Sequence, residues 1–316
     1  MLKLKLSIIF INKYSLYGVV MKKIYLLLLL FSLLLKANNQ LEITQMINNI
    51  FQEASQKKDI IAMSAHNKML SQKIAKDVVM IVNGIDVEDY RYDLIHSTQT
   101  FNDFLLAMYE GNKERAITKT TDSEILYELE EIKDEWAVFC KHILKFYKKE
   151  NKIDMTSYQY IINNNEKLLR LSHKLTQTLK SKNRLNTNSN KVMEHTLKIA
   201  DRQKMLTQKM FKEKFLIYIG EDKKRNSIRL RGSIILFQNG LKGLIYGDKK
   251  RGLVAVSNPK IKVKLQKMWL LYTKIKDSYI QKEISKKEMQ QLAVIERLLL
   301  KYSTEIVSMI ENTLEY

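Results

Sequence analysis

Apolar residues return every three or four positions along most of this chain, and the places where that rhythm stops mark its elements. Ile43, Met46, Ile47, Ile50, Phe51 and Ala54 begin one such stripe, which predicts a helix over residues 41–82, ended by Asn83 and Gly84. At about 1.5 Å per residue it would be roughly 60 Å long. A second helix is predicted over 87–109, closing at Gly111. A third, over 123–149, has Ile125, Leu129, Ile132, Trp136 and Phe139 on one stripe, and a fourth spans 156–179. The polar stretch NRLNTNSN, 183–190, follows as a linker or as a weakened continuous helix. The plan then repeats, with helices over 191–219, 223–246, 259–279 and 285–314. Asn258 is placed to cap the seventh, with the only proline of the chain, Pro259, in its first turn.

The repetition is also literal. SAHNKMLSQKIAK at 64–76 returns as ADRQKMLTQKMFK at 200–212, an offset of 136 residues. The same offset pairs Gly84 with Gly220, Asp86 with Asp222, Phe101 with Phe237, Leu105 with Leu241, Gly111 with Gly247, Arg115 with Arg251 and Leu129 with Leu265. One offset held over about 65 residues, with glycines in register, reads as a tandem duplication. The expected fold is all-α, two tandem four-helix bundles of up-down helices, over residues 38–183 and 191–316 with the linker at 184–190 between them.

Composition agrees with that class. Nine glycines and one proline in 316 residues are too few for the turns of sandwiches, barrels or doubly wound sheets. A single cysteine, Cys140, leaves no intrachain disulfide and no multi-cysteine metal or haem motif.

Residues 1–37 stand apart. From Met21 the sequence MKKIYLLLLLFSLLLKANNQ has two lysines, an apolar run over 24–35 and a small residue, Ala37, which is the order of a secretory signal peptide. The expectation is cleavage near Ala37, with 1–20 as upstream sequence, and a periplasmic protein; the alternative is an uncleaved inner-membrane anchor. Export sets nucleic acid aside as a partner.

The net charge of +20 is unevenly spread. Residues 1–37 hold six lysines and no acid. Residues 38–183 hold 20 basic and 21 acidic residues, and 184–316 hold 28 basic and 13 acidic. The basic excess therefore belongs to the second half, concentrated at Lys223, Lys224, Arg225, Arg229, Arg231, Lys249, Lys250 and Arg251. That polarity suits an acidic partner or an anionic envelope surface.

Catalytic chemistry is not apparent. The five histidines never fall at the spacing that puts two imidazoles on one helix turn, and no glycine-rich phosphate loop occurs. The acidic run Glu128, Glu130, Glu131, Asp134 and Glu135 reads as a solvated helix face. The expectation is a protein that is not an enzyme and carries no metal or cofactor.

The repeated core M-L-[ST]-Q-K resembles the N-terminal sensor domain of type IV pilus chemotaxis transducers, the PilJ family, which is related to the periplasmic region of NarX-type sensor kinases. The family pattern Ala-Gly-Arg-Gln-Arg-Met-Leu-Ser-Gln-Arg is matched by Ala200, Arg202, Gln203, Lys204, Met205, Leu206, Thr207, Gln208 and Lys209. Its later Phe, Leu, Leu/Met and Gly positions are matched by Phe237, Leu241, Leu244 and Gly247, and by Phe101, Leu105, Met108 and Gly111. The resemblance implies a helical input module that binds a small molecule or an oxyanion such as nitrate where motif helices meet. An arginine from each protomer faces the anion in the dimeric relatives. Here the two motif helices of one chain would take the place of two protomers.

On that basis the candidate ligand-binding residues are Arg202, His66, Gln203, Asn67, Thr207 and Ser71. The sequence departs from the family at two places: the arginine is His66 in the first copy, and the glycine is Ala65 in the first and Asp201 in the second. A guanidinium offers a planar fork to a planar anion, whereas a neutral imidazole offers one hydrogen bond and gains charge only below about pH 6.5. An acidic Asp201 beside an anion would repel it unless turned away. Met69, Leu70, Met205 and Leu206 read as core. Ser71, Thr207, Gln72 and Gln208 fit register-fixing hydrogen bonds as well as ligand contacts, and Arg202 also fits a surface salt bridge.

Two functions are open at this point. One is a freestanding periplasmic sensory protein that binds a small ligand and signals through a membrane receptor or sensor kinase. The other is an adaptor or structural protein of the envelope that uses its basic second half to hold an acidic partner.

Overall fold

The computed structural model describes residues 56–57, 59–115, 117–148, 153–182 and 191–313. The apolar run at 24–35, the start of the first predicted helix and the linker at 184–190 lie outside them. Among the described residues the chain is all-α, as the composition requires. Helix α1 runs over 59–82, α2 over Val87–Glu110, α3 over Ser123–Ile143, α4 over Met155–Lys182, α5 over Lys191–Tyr218, α6 over Lys223–Tyr246, α7 over Pro259–Ile280 and α8 over Lys286–Thr313. Helices of both halves pack within one compact unit, Lys58–Tyr316.

The duplication recurs in the backbone. The α1–α2 turn carries Gly84 and Asp86 at φ 72° and 37°, and the α5–α6 turn carries Gly220 and Asp222 at φ 90° and 35°. Aspartate tolerates this left-handed geometry better than most residues with a Cβ. The paired bridges Asn112 with Ile117 and Asp248 with Leu253 also differ by 136. Each follows a glycine at positive φ, Gly111 or Gly247. A Cβ on Gly111 would lie 3.0 Å from the Ile117 carbonyl oxygen, and one on Gly247 3.2 Å from the Ala255 nitrogen. Even the aromatic cores match: Phe101 stacks on Trp136 at 4.0 Å, and Phe237 meets Tyr272 at 5.0 Å. The offset shortens to 131 for the last helix of each half, because eleven residues join α3 to α4 but only five join α7 to α8, while α7 is one residue longer than α3. Position 165 in α4 thus corresponds to position 296 in α8.

Capping explains several boundaries. Asp122 accepts hydrogen bonds from the backbone of Glu124 and Ile125, and Asn258 from Lys260 and Ile261, satisfying first-turn amides that have no partner within the helix. The third helix ends earlier than its periodicity predicts. After Ile143 the chain tightens into a 3-10 turn, Leu144–Phe146, which keeps Phe146 buried three residues after Ile143. The acidic run is not wholly solvated either. Glu128 and Glu135 share the inward stripe with Ile125, Ile132 and Phe139. Thr178 of α4 donates to Glu128, and Lys167 of α4 pairs with Glu135.

Candidate functional site

The two motif helices, α1 and α5, meet side to side and bring both copies of the repeated sequence together. Their apolar motif residues Met69, Leu70 and Leu206 are buried, and Met205 is half-buried. The polar motif residues form two layers along the meeting line.

The first layer centres on Asp201. Lys204 lies 3.0 Å from its carboxylate and Lys68, from the other motif helix, lies 3.6 Å away. Burial alone would raise the Asp201 pKa, but Lys204 and Lys68 hold the carboxyl below its usual range. The acid is therefore an internal counter-ion. Lys180 of α4 is within electrostatic reach, and burial together with the charge of Lys68 lowers it to about 8. Lys68 is itself lowered by burial and by Arg202 and Lys204, against the pull of Asp201. Neither Arg202 nor Lys180 makes an ion pair with any described residue. His173 is lowered by burial and then by Lys68 and Arg202. The cluster is thus rich in positive charge, with one buried carboxylate to balance it.

The six sequence-predicted residues all lie along this crossing. Arg202 is half-buried next to Lys68. His66 is half-buried across from Lys204 and is lowered to about 4, first by burial and then by that lysine, so at neutral pH it is an uncharged imidazole. Asn67 is buried and donates to the Phe101 carbonyl at 3.3 Å. Gln203 is buried and donates to the Ile199 carbonyl at 3.1 Å, leaving its own oxygen without a partner. Ser71 and Thr207 donate to the carbonyls of Lys68 and Gln203, within their own helices.

A second layer lies one to two turns further on. Lys212 of α5, almost fully buried, donates to Gln72 of α1 at 2.7 Å and to Asn165 of α4. Reciprocally, Lys76 of α1 lies 3.4 Å from Glu296 of α8, which also accepts from Gln208 of α5. Each motif lysine thus reaches across to the last helix of the other half. That exchange of equivalent contacts is the pattern of an isologous interface. Glu166 joins this layer through Lys209 and Lys212. Burial favours its neutral form, yet those two charges bring it down to about 2.

Sequence reasoning passed over Lys68, Lys204, Lys76 and Lys212 as sites, although all four sit inside the repeated segment. Charged residues returning at equal positions on otherwise apolar helix faces were the available signal. Lys180, Asn165 and Glu296 lie in helices with no such motif. Among the described residues no group of three or more His, Cys, Asp or Glu side chains is arranged to hold a metal.

Residues 50–158 match the family described as PilJ, type IV pili methyl-accepting chemotaxis transducer N-term. The match implies a chemotaxis-transducer sensory domain over that segment, and the family is a signalling one, not catalytic. No curated protein matches the chain. No helix among the described residues is long and apolar enough to cross a membrane.

Proposed function

We propose that this chain, with its PilJ domain over residues 50–158, is a sensory protein in which that domain and its repeat over 191–313 act as two halves of one receptor for a small anion. The ligand lies at the crossing of α1 and α5 against Arg202, Lys180, Lys68 and Lys204, with neutral His66 as a hydrogen-bonding partner. Nitrate or another small oxyanion suits the planar fork of Arg202. The output passes to a membrane chemoreceptor or sensor kinase, and the sequence pattern of residues 21–37, that of an export signal, supports a periplasmic location for the receptor.

The observation that carries this reading is the unbalanced charge around Asp201. Lys68 and Lys180 are held below their ordinary pKa partly by neighbouring cations, so an added anion relieves repulsion the fold already bears. Asn67, Gln203, Ser71 and Thr207 serve as the frame, because their donors are engaged by helix carbonyls.

Thermal unfolding and calorimetry of the protein against nitrate, nitrite, sulfate, phosphate and small carboxylates test the proposal. At one hundred times its Kd a ligand stabilises the folded state by about 2.7 kcal/mol. For a unit of this size that raises Tm by roughly 2–4 °C per kcal/mol. Absence of stabilisation across the panel, or affinity unchanged in both Arg202→Ala and Lys180→Ala, overturns it.

A further inference from the structure

Helix α6 is anchored to the core by Leu230, Phe237, Leu241 and Leu244 and turns a second stripe away from it. Lys224, Ile228, Arg231, Ile235, Lys242 and Tyr246 follow one another at steps of three, four or seven residues, so they lie on one line of the helix for roughly 33 Å. The apolar members stand far out of the surface: Ile228 is 65% exposed, Ile235 56% and Tyr246 72%. The whole helix has six basic residues and no acidic one.

The duplicated fold supplies an internal comparison. Helix α2 occupies the equivalent place in the first half and has five acidic residues against one basic. Its matching line reads Glu88, Tyr92, Ile95, Gln99, Leu106 and Glu110. The α2 line has as many apolar members as the α6 line, with Tyr92 and Leu106 exposed, but its charges are acidic, so the fold does not demand the basic charge that accompanies the exposed apolar residues of α6.

We infer that the outward face of α6 is a docking surface for an anionic phospholipid bilayer. Ile228, Ile235 and Leu236 enter the boundary between headgroups and acyl chains, while Lys224, Arg225 and Arg231 reach back to the lipid phosphates along their own aliphatic stems. A row of four to eight basic residues on an amphipathic helix is the pattern that anionic lipid surfaces attract. The size of the face selects this occupant over a protein. A stripe of that length and about 10 Å wide covers on the order of 350 Å², under half of the roughly 800 Å² per partner that stable protein interfaces bury. A bilayer needs no matching contour and adds a field that acts beyond the contact.

The test uses the full chain with Cys140→Ser and an environment-sensitive fluorophore on Ile235→Cys, or on Gln99→Cys at the matching position of α2. Vesicles of phosphatidylcholine alone are compared with vesicles containing 30% phosphatidylglycerol. The expected result is a blue shift at position 235, at about tenfold lower lipid with the anionic vesicles, and none at position 99. Arg225→Glu combined with Arg231→Glu raises the lipid required by about tenfold or more, and the milder pair Lys224→Gln and Lys242→Gln acts in the same direction. Helical circular dichroism is recorded for each variant. Equal shifts on both lipids, or at both positions, overturn the inference, since the apolar run at 24–35 could then be carrying the chain to the vesicle. A shift at position 235 that grows with protein concentration and needs no lipid assigns the face to a second copy and also overturns it.

Discussion

Lys76 and Glu296 are 220 residues apart in the chain, and their charged groups lie 3.4 Å apart in a layer closed to solvent. The equivalent pair in the other direction is Lys212 and Asn165. Duplication set two lysines reaching across to the opposite half, and divergence then gave one a full carboxylate and the other an amide. Lys212 makes up the deficit with Glu166, 3.6 Å away. The two halves are thereby tied by different chemistry at equivalent positions.

Removing Glu296 should therefore do more damage than its single residue suggests. Glu296→Ala leaves Lys76 buried with Asp77 at 3.6 Å and the Tyr90 ring at 5.3 Å in place of its paired carboxylate, and strips Gln208 of its acceptor. Breaking one side of a buried ion pair costs about 3–5 kcal/mol. Urea unfolding should show that loss. A change below about 1 kcal/mol would mean the layer is hydrated or rearranges.

Lys212 gives the layer a pH signature. Burial lowers its pKa to about 8, against an ordinary value of 10.5. Below pH 8 both folded and unfolded chains hold the proton and its cost is constant. Between about 8 and 10.5 only the unfolded chain holds it, so stability rises with pH through that window, by at most roughly 3 kcal/mol. Above pH 10 the buried tyrosines, among them Tyr90 and Tyr272 at about 12, keep protons the unfolded chain releases and turn the curve back down. Lys212→Met should be flatter than wild type between pH 8 and 10 when unfolding is followed across the series.

Much of this was legible in the sequence. The helix count, the glycine turns and the 136-residue repeat follow from periodicity and backbone constraints that act locally. Asn258 and Pro259 predicted the start of α7 to the residue. Asp201 illustrates where such reading stops. On paper it is an acid beside an anion site; Lys204 on its own helix and Lys68, packed against it from 133 residues away, together make it a counter-ion, and the second of these no local pattern displays. Glu128 and Glu135 were misread for a related reason: a carboxylate on an inward stripe needs a partner on another helix, here Thr178 and Lys167, and no single-helix pattern displays it.

The neighbourhood of Gln203 shows how the copies exchanged volume. A Cβ on Gly240 would fall 2.3 Å from the Gln203 amide nitrogen. In the first half the corresponding residues are Asn67 and Phe104, a shorter amide against a larger neighbour. Gly240→Phe alone should cost at least about 2 kcal/mol through overpacking. Combining it with Gln203→Asn should recover part of that loss, so a double-mutant cycle should give a favourable coupling of about 0.5–3 kcal/mol. Additive losses would show that the two positions do not share space.

His66 should appear on the acid side of the stability profile. Its folded pKa of about 4 lies below the unfolded 6.5, so the unfolded chain binds more protons between those values and stability falls as pH drops from 6.5 to 4. His66→Asn removes this contribution. The difference in Tm between pH 7 and pH 5 should therefore shrink in the variant, and an unchanged difference would place the imidazole in free contact with water.

The sharpest test of the anion site is its own counter-ion. Asp201 engages Lys68 and Lys204 and so competes with any anion for them. Asp201→Asn should lower stability, because the lysines lose a partner, and should raise the affinity for the anion identified in the ligand panel. A second consequence separates this from a general loosening. The Asp201 charge raises the pKa of Lys68 and Lys180, so without it both release their protons at lower pH. In the wild type, anion affinity should hold through neutral pH and weaken above about 8 as Lys180 becomes neutral. In the variant affinity should start higher and begin to weaken at a lower pH. Calorimetric titrations at pH 6, 7, 8 and 9 give both curves, and coincident curves would remove Asp201 and its lysines from the binding site.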